Sequence, residues 1–273
     1  MLPNGVDFVR AWMGLSILGA VPVLLNTELE GSFFRHQLCC SDVEVLLISS
    51  EQLGALTDVA SSVPKLKTVI VIGQADVSDD QFSTVVDWQN WRDQPPYEGQ
   101  QPGPREIGCI IFTSGTTGPA KAVLMPHAHC FMCGLGFVKA MEITESDRHY
   151  IPLPLFHTAG LFIQLGATLV AGSSAVLRER FSAKNWLSDI TQHKATVSHL
   201  IGAMVSFVLQ QPNSERDKEH ALRGLIYGPT VPQQETQFRE RFGIADVFST
   251  YGMTEVNLPV WGRKGVACPG AVG

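Results

Sequence analysis

Apolar residues in this chain come in two kinds of run, and the two kinds alternate. Short blocks without polar alternation occur at residues 21–25, 45–48, 68–72, 150–153, 175–177, 196–199, 224–227 and 245–249. Between them lie helical-looking stretches at 28–40, 51–61, 127–141, 161–171, 183–193, 203–210 and 233–242. The first kind suits a strand buried on both faces and the second a helix laid over a sheet. The pattern therefore predicts an α/β fold of two packed βα-layered subdomains with mostly parallel sheets, residues 1–140 and 141–273. A proline- and glycine-rich stretch, QPPYEGQQPGP at 94–104, reads as a linker by composition. The uncharged stretch at 11–25 is too short for a bilayer span. It lacks a small-x-small cleavage site before Asn26, and Asp7 sits where a signal peptide would be basic. We read it as a buried helix over 8–18, a stop at Gly19 and a core strand over 21–25, in a soluble protein without a membrane segment.

Charge and cysteine usage narrow the classes. Lys plus Arg is 20 and Asp plus Glu is 26, a net charge of −6, and no basic block occurs. That argues against nucleic acid as the main partner. The six cysteines, Cys39, Cys40, Cys109, Cys130, Cys133 and Cys268, fall in apolar or helical stretches without the spacing of a disulfide framework. A reducing cytoplasm fits them best.

Three polar clusters each follow an apolar block, where α/β folds bind ligands. Residues 110–123 read IIFTSGTTGPAKAV. Gly115 and Gly118 let backbone N–H groups approach an anion. Thr113, Ser114, Thr116 and Thr117 add hydroxyls, and Lys121 adds a positive charge. A loop of this composition can wrap a polyphosphate; the bland alternative is a Ser/Thr-rich hairpin turn. It is not the Walker type, because Lys121 is followed by Ala122, Val123 and Leu124, which read as a returning strand rather than a helix. Residues 152–160, PLPLFHTAG, place His157 between a strand and a helix, a position that also suits a packed histidine or a helix cap. Residues 249–258, STYGMTEVNL, offer the Tyr251 ring for stacking, Gly252 for close approach, the Thr254 hydroxyl and the Glu255 carboxylate. The bland reading is an exposed loop. A carboxylate near a phosphate loop calls for an intervening cation, ordinarily Mg²⁺. A rival metal site could draw on His127, His129, Cys130 and Cys133. On one helix only residues three or four apart share a face, so at most two reach one ion. We assign those four to helix packing.

TSGTTGPAK at 113–121, LPLFHTAG at 153–160 and YGMTE at 251–255, in this order, resemble the adenylate-forming superfamily of acyl-CoA synthetases and their relatives. GAVPVLLNTEL at 19–29 and CPGAVG at 268–273 are similar to further landmarks, so the resemblance covers almost the whole chain. Within the superfamily, the wording over 186–200 together with FTSGTTG looks most like bacterial crotonobetaine/carnitine-type CoA ligases. The resemblance implies ATP-dependent activation of a small carboxylic acid to an acyl-adenylate, with coenzyme A as the thiol acceptor. It implies that Thr113, Ser114, Gly115, Thr116, Thr117, Gly118 and Lys121 hold the β- and γ-phosphates. Gly228, Pro229, Thr250, Tyr251 and Gly252 would line the adenine site, Thr254 would contact the α-phosphate and Glu255 would hold Mg²⁺. His157 would wall the acyl pocket, which residues 201–204 and 256–258 would shape.

Two loops depart from the family's pattern. Pro119-Ala120-Lys121-Ala122 stands where proline directly before the lysine and glycine after it are usual. Tyr227-Gly228-Pro229-Thr230 stands where a Gly-Gly-Ala type is common. The family's first βα segment is missing ahead of Met1. After Gly273 there is no ribose-binding aspartate motif, hinge or C-terminal domain with its catalytic lysine. The expectation is a fragment of the large domain that binds nucleotide weakly and does not complete turnover alone. Alternatives are an enzyme that loads a carrier protein or amino acid, and a non-catalytic nucleotide-binding remnant.

Overall fold

Strands without a polar face can be stable only when both faces are covered, and most apolar blocks here do become parallel strands. The computed structural model describes residues 1–73, 85–87, 95–113, 118–229 and 231–262. The chain divides into two units, Met1–His127 and Ala128–Gly273.

In the first unit α1 (Val6–Ile17) leads to β1 (Val23–Leu24), α2 (Gly31–Cys40), β2 (Val45–Ser49), α3 (Leu53–Thr57) and β3 (Thr68–Ile72). Three more strands follow, β4 (Val85–Asp87), β5 (Ile107–Thr113) and β6 (Lys121–Pro126). Among the described residues these strands form two three-stranded sheets. In one, β2, β3 and β4 are all parallel. In the other, β1 runs parallel to β5 and β6 returns antiparallel beside it. Leu46, Ile48, Val69 and Val71, at alternate positions of β2 and β3, share a core with Phe34 and Leu38 of α2 and Leu56 of α3.

Two expectations for this unit are corrected. The helix over 8–18 is not buried. Only Phe8 and Ala11 of α1 are, and Val6, Ile17 and Leu18 stand 58%, 45% and 50% exposed. A helix apolar on most sides carries no sign of which side is covered. The single helix expected over 51–61 is broken into a 3₁₀ turn at Ser50–Gln52, α3 and a second 3₁₀ turn at Ala60–Ser62. Thr57 and Ser62 donate their hydroxyls back to the carbonyls of Leu53 and Val59. Such local bonds compete with a regular helix.

The second unit centres on a five-stranded sheet. Its chain order is α4 (His127–Met141), β7 (Arg148–Ile151), a π-helical segment at Ala159–Leu165, α5 (Gly166–Ala171), β8 (Ser174–Leu177), α6 (Ala183–His193) and β9 (Val197–Ile201). It continues through α7 (Gly202–Leu209), β10 (Gly224–Gly228), α8 (Pro232–Phe242), β11 (Asp246–Phe248), β12 (Thr250–Met253) and β13 (Asn257–Trp261). The sheet runs β11-β10-β9-β7-β8 with every pair parallel. One face carries Tyr150, Leu200, Leu225, Tyr227 and Val247 against α6, α7 and α8. Trp186 of α6 is fully buried there, edge-on to Phe238 and Phe242 at 5.4 and 5.1 Å between ring centroids. On the other face the His149 ring meets Phe137 of α4 at 5.7 Å. Helix α4 lies so close to α5 that a Cβ on Gly134 would be 2.7 Å from the carbonyl carbon of Gly166.

From β7 the chain moves outward to β8, then returns past β7 to β9 and on to β10 and β11. The order reverses between β7 and β9. A crevice opens at the carboxyl ends of parallel strands at such a reversal.

Buried polar groups at the base of this sheet are of two kinds. The Asp147 carboxylate accepts from Arg223 Nε and Nη2 (2.9 and 2.8 Å), Thr196 Oγ1 (2.7 Å) and the Thr144 N–H (2.9 Å). Burial by itself would raise its pKa, but the bonds from Arg223, Thr144 and Thr196 hold it well below the usual carboxylate range. His149, in contrast, is fully buried with no protein partner on either nitrogen. Desolvation lowers its pKa to about 4, and that of His199 likewise. An unfolded imidazole titrates near 6.5, so between about pH 6.5 and 4 the unfolded chain binds more protons and stability rises with pH. The urea unfolding free energy should therefore fall as pH is lowered from 7 to 4, by about 3 kcal/mol for each such imidazole. His149→Phe, which keeps the ring contact with Phe137, should remove one imidazole's share of that slope.

Candidate active site

The candidate phosphate loop is the tip of the β5–β6 hairpin. The last pair of that ladder sets Thr113 opposite Lys121, so the lysine opens a strand and not a helix. Ser114, Gly115, Thr116 and Thr117 lie outside the described residues, as do Thr230 and the landmark at 268–273. Gly118, Pro119 and Lys121 are exposed. His36 Nε2 lies 2.9 Å from the Ala120 carbonyl oxygen. A carbonyl only accepts, so this nitrogen carries the proton and ties the end of the loop to α2.

In the second unit a cavity of about 440 Å³ opens at the carboxyl ends of β7, β9, β10 and β11. After β7 it is lined by His157, Thr158, Ala159 and Ile163, and from β9 by His199. Gly228 and Pro229 close β10, and Ser249, Thr250, Tyr251, Gly252, Met253, Thr254, Asn257 and Leu258 complete the wall.

Each part is held by a specific local contact. His157 Nδ1 accepts the Ala159 N–H at 3.3 Å, which leaves Nε2 as the protonated, donating nitrogen of the neutral ring. Desolvation by the cavity walls lowers the His157 pKa, so the neutral form is favoured. The Thr158 and Thr254 hydroxyls, both buried, lie 3.2 Å apart and join chain segments 96 residues distant. Gly160 is obligatory, because a Cβ there would be 2.4 Å from the Pro154 carbonyl oxygen. Residues 249–258, for which an exposed loop was the bland alternative, supply most of an antiparallel hairpin, β12–β13, with an irregularity between Tyr251 and Met253. Gly252 permits it, since a Cβ would sit 2.4 Å from the Asn257 carbonyl oxygen. The Thr250 hydroxyl donates to the Val260 carbonyl at 2.7 Å and Asn257 Nδ2 to the His129 carbonyl at 3.1 Å.

Of the candidates, His157, Gly228, Pro229, Thr250, Tyr251, Gly252 and Thr254 meet around this cavity, and Tyr251 remains 53% exposed beside it. Glu255 lies exposed in the hairpin turn, outside the lining. Of residues 201–204, expected to shape the pocket, none lines the cavity directly: Gly202 lies against the Pro229 carbonyl behind the wall, and Met204 packs on the aromatic core. Of residues 256–258, Asn257 and Leu258 reach the wall and Val256 does not. His199, Ser249 and Thr158 were not singled out by sequence. The signal for His199 was there, as a polar residue inside an apolar block. In α4, Cys133 is buried and its thiol is pushed up to about 12, by desolvation first and the neighbouring Cys130 second. A thiol that resists ionisation makes a poor metal ligand.

The sequence profile of the AMP-binding enzyme family matches residues 1–273, and the chain belongs to that family. It is 28% identical to mouse long-chain fatty acid transport protein 6 over 268 residues, covering 97% of this chain and 43% of that protein. It is also 28% identical to the crotonobetaine/carnitine–CoA ligase of Salmonella agona over 266 residues, covering 96% of this chain and 51% of the ligase. Among solved structures, the anthranilate CoA ligase AuaEII in complex with anthranoyl-AMP superposes with a TM-score of 0.90 at 25% identity. That match covers all of this chain and 53% of the ligase. The chain thus spans about half the length, or less, of these relatives. The α/β architecture with parallel sheets is that of the large N-terminal domain of adenylate-forming acyl-CoA ligases.

The glycine contacts separate two neighbouring positions in their demands. A Cβ on Gly160 meets backbone at 2.4 Å, whereas one on Gly166 meets nothing closer than 3.6 Å. Gly160→Ala should lower thermal stability by about 2–3 kcal/mol, and Gly166→Ala should stay within about 0.5 kcal/mol of the parent. Paired melting curves check both.

Proposed function

We propose that this chain carries the nucleotide- and acid-binding part of a ligase that uses ATP to activate a carboxylic acid and then esterifies it to the thiol of coenzyme A. One observation carries the reading. His157, Gly228-Pro229 and Thr254, far apart in sequence, meet in one cavity at the strand ends of a chain that belongs to the AMP-binding enzymes. Relatives named as a crotonobetaine/carnitine–CoA ligase and as an anthranilate CoA ligase holding anthranoyl-AMP support the acyl-adenylate and the CoA acceptor.

In the first step a carboxylate oxygen attacks the α-phosphorus of ATP. The bond to the β-phosphate oxygen breaks, and pyrophosphate leaves with the electron pair. In the second, a thiol sulfur attacks the acyl carbon, the bond to AMP breaks and the thiol proton passes to solvent. A carboxylate is a weak nucleophile repelled by a polyanion, so placement and charge neutralisation supply most of the rate. Thr113, Gly118 and Lys121, with Ser114, Gly115, Thr116 and Thr117, would hold the β- and γ-phosphates. Tyr251 would stack on adenine between Gly228-Pro229 and Gly252, with Thr250 beside it. Thr254 would donate to the α-phosphate, and the neutral His157 would present its Nε2–H to the reacting carboxylate.

Glu255 with the adjacent Thr254 hydroxyl offers the oxygen donors that Mg²⁺ takes next to a polyphosphate. When bound, the ion would neutralise phosphate charge. Among the described residues no helix is long and apolar enough to cross a membrane, and Cys39 and Cys40 are free, exposed thiols. Those thiols support a cytoplasmic setting.

A stable acyl-adenylate mimic, an acyl sulfamoyl adenosine, tests the site by calorimetry. Binding is expected, weakened at least about tenfold by Thr254→Val or Tyr251→Ala; absence of binding for every acyl group overturns the reading. Because the chain spans about half the length of its relatives, the 273 residues alone are expected to bind ATP weakly and release no thioester. Robust ATP–pyrophosphate exchange by them would overturn that limit.

A further inference from the structure

The cavity holds one group that the proposed chemistry leaves unused. His199 lies in the middle of β9, whose neighbouring residue Leu200 faces the aromatic core. Alternation along the strand therefore turns His199 to the opposite face, where it lines the cavity together with His157. It is 6% exposed, and its Nδ1 has no hydrogen-bond partner in the protein. Its strand neighbour Ser198 is satisfied, donating to the Tyr150 carbonyl at 2.8 Å. No hydrogen bond joins His199 to His157, whose Nδ1 accepts the Ala159 N–H. Desolvation, with a smaller contribution from His157, keeps the His199 imidazole neutral at ordinary pH. A neutral imidazole offers one donor and one acceptor.

The rest of the wall restricts what can meet that ring. Among the described residues lining the cavity none is Lys, Arg, Asp or Glu. A second carboxylate or a fixed ammonium on the acid would lose its hydration there without gaining a counter-charge. A plain hydrocarbon would cover the part of the ring that still reaches the cavity and leave the imidazole without any partner, which is also unfavourable. A hydroxyl avoids both costs, because it is uncharged and can donate to one imidazole nitrogen or accept from the other.

We propose that His199 is a specificity-determining residue of the acid pocket, and that the acid taken by this site carries a hydroxyl group that hydrogen-bonds to the His199 imidazole. The inference rests on the reading of this cavity as the acyl-adenylate site, and goes beyond it by naming the substrate class. A site built to bond a hydroxyl discriminates against the analogue that lacks one far more strongly than an apolar pocket separates homologues.

Acyl sulfamoyl adenosines test this on the 273-residue chain. Matched hydroxy-, methyl- and carboxy-substituted acyl groups are compared on an aromatic and on a short straight-chain frame. The best hydroxy analogue should bind at least about tenfold more tightly than its methyl and carboxy counterparts, equivalent to about 1.4 kcal/mol. His199→Leu should reduce the hydroxy-to-methyl ratio to within about twofold, and His199→Gln, which keeps a donor and an acceptor, should restore part of it. Nitrogen NMR of the unsubstituted chain gives a readout independent of any variant's folding. The His199 ring nitrogens should shift on binding the hydroxy analogue and stay in place with the methyl one. Equal binding of hydroxy and methyl analogues, or a ratio unchanged in His199→Leu, would overturn the role of His199 while leaving the adenylate site standing. Failure of every analogue to bind would overturn both.

Discussion

A strand buried on both faces can satisfy its backbone only through its neighbours and can carry little besides apolar side chains. Polar chemistry is thereby driven out of the strands and gathered where they end. The second unit follows this constraint closely. Its strands β7, β9, β10 and β11 point the same way, so the segments that leave them converge. His157, His199, Gly228 and Ser249 come from four different stretches of sequence and still line one cavity. The reversal of strand order between β7 and β9 keeps the crossing segments from filling that crevice.

The walls of the crevice are set by close backbone approach more than by side chains. Gly160 lies under the Pro154 carbonyl, Gly202 beneath that of Pro229, and Gly252 beneath that of Asn257. At each, a methyl group would meet a main-chain oxygen at under 3 Å. These contacts fix where His157, Pro229 and the β12–β13 hairpin stand. The Thr158–Thr254 hydroxyl pair then links the turn after β7 to the hairpin turn.

Much of this was legible in the residue pattern, and the failures have physical causes. The blocks 45–48, 68–72 and 224–227 appeared as β2, β3 and β10 within a residue of their expected ends, because double burial leaves an unmistakable apolar run. The returning strand after Lys121 was visible as the apolar run Ala122, Val123 and Leu124, although it is largely exposed. The β12–β13 hairpin was not, since Thr250, Tyr251, Asn257 and Val260 neither alternate nor carry a two-residue turn signal. What holds it, a glycine against a distant carbonyl and the Thr250–Val260 bond, exists only in three dimensions. The π-helical turn at Ala159–Leu165 was equally hidden. Its residues AGLFIQL suit any buried helix, and the close seat of Gly160 against the Pro154 carbonyl is a contact only the folded chain shows. Residues 201–204 do not line the cavity directly, since Met204, on α7, packs against the aromatic core; periodicity could not say which face of that helix meets the sheet.

Two polar side chains associated with the same sheet show how burial separates structure from function. Asp147 is surrounded by five donor atoms and anchored through Arg223 to the carbonyls of Met141 and Glu142, at the end of α4. It has no bonding capacity left over, and its effect is to lock β7 to β9 and α4. His199 is comparably enclosed but lacks a protein partner on Nδ1. An apolar residue of similar size would remove that desolvation cost at no loss to the sheet. A buried imidazole next to His157 therefore makes physical sense where something entering the cavity supplies its bond. The unsatisfied group, and not the well-satisfied ion pair, is where the fold retains capacity to recognise a ligand.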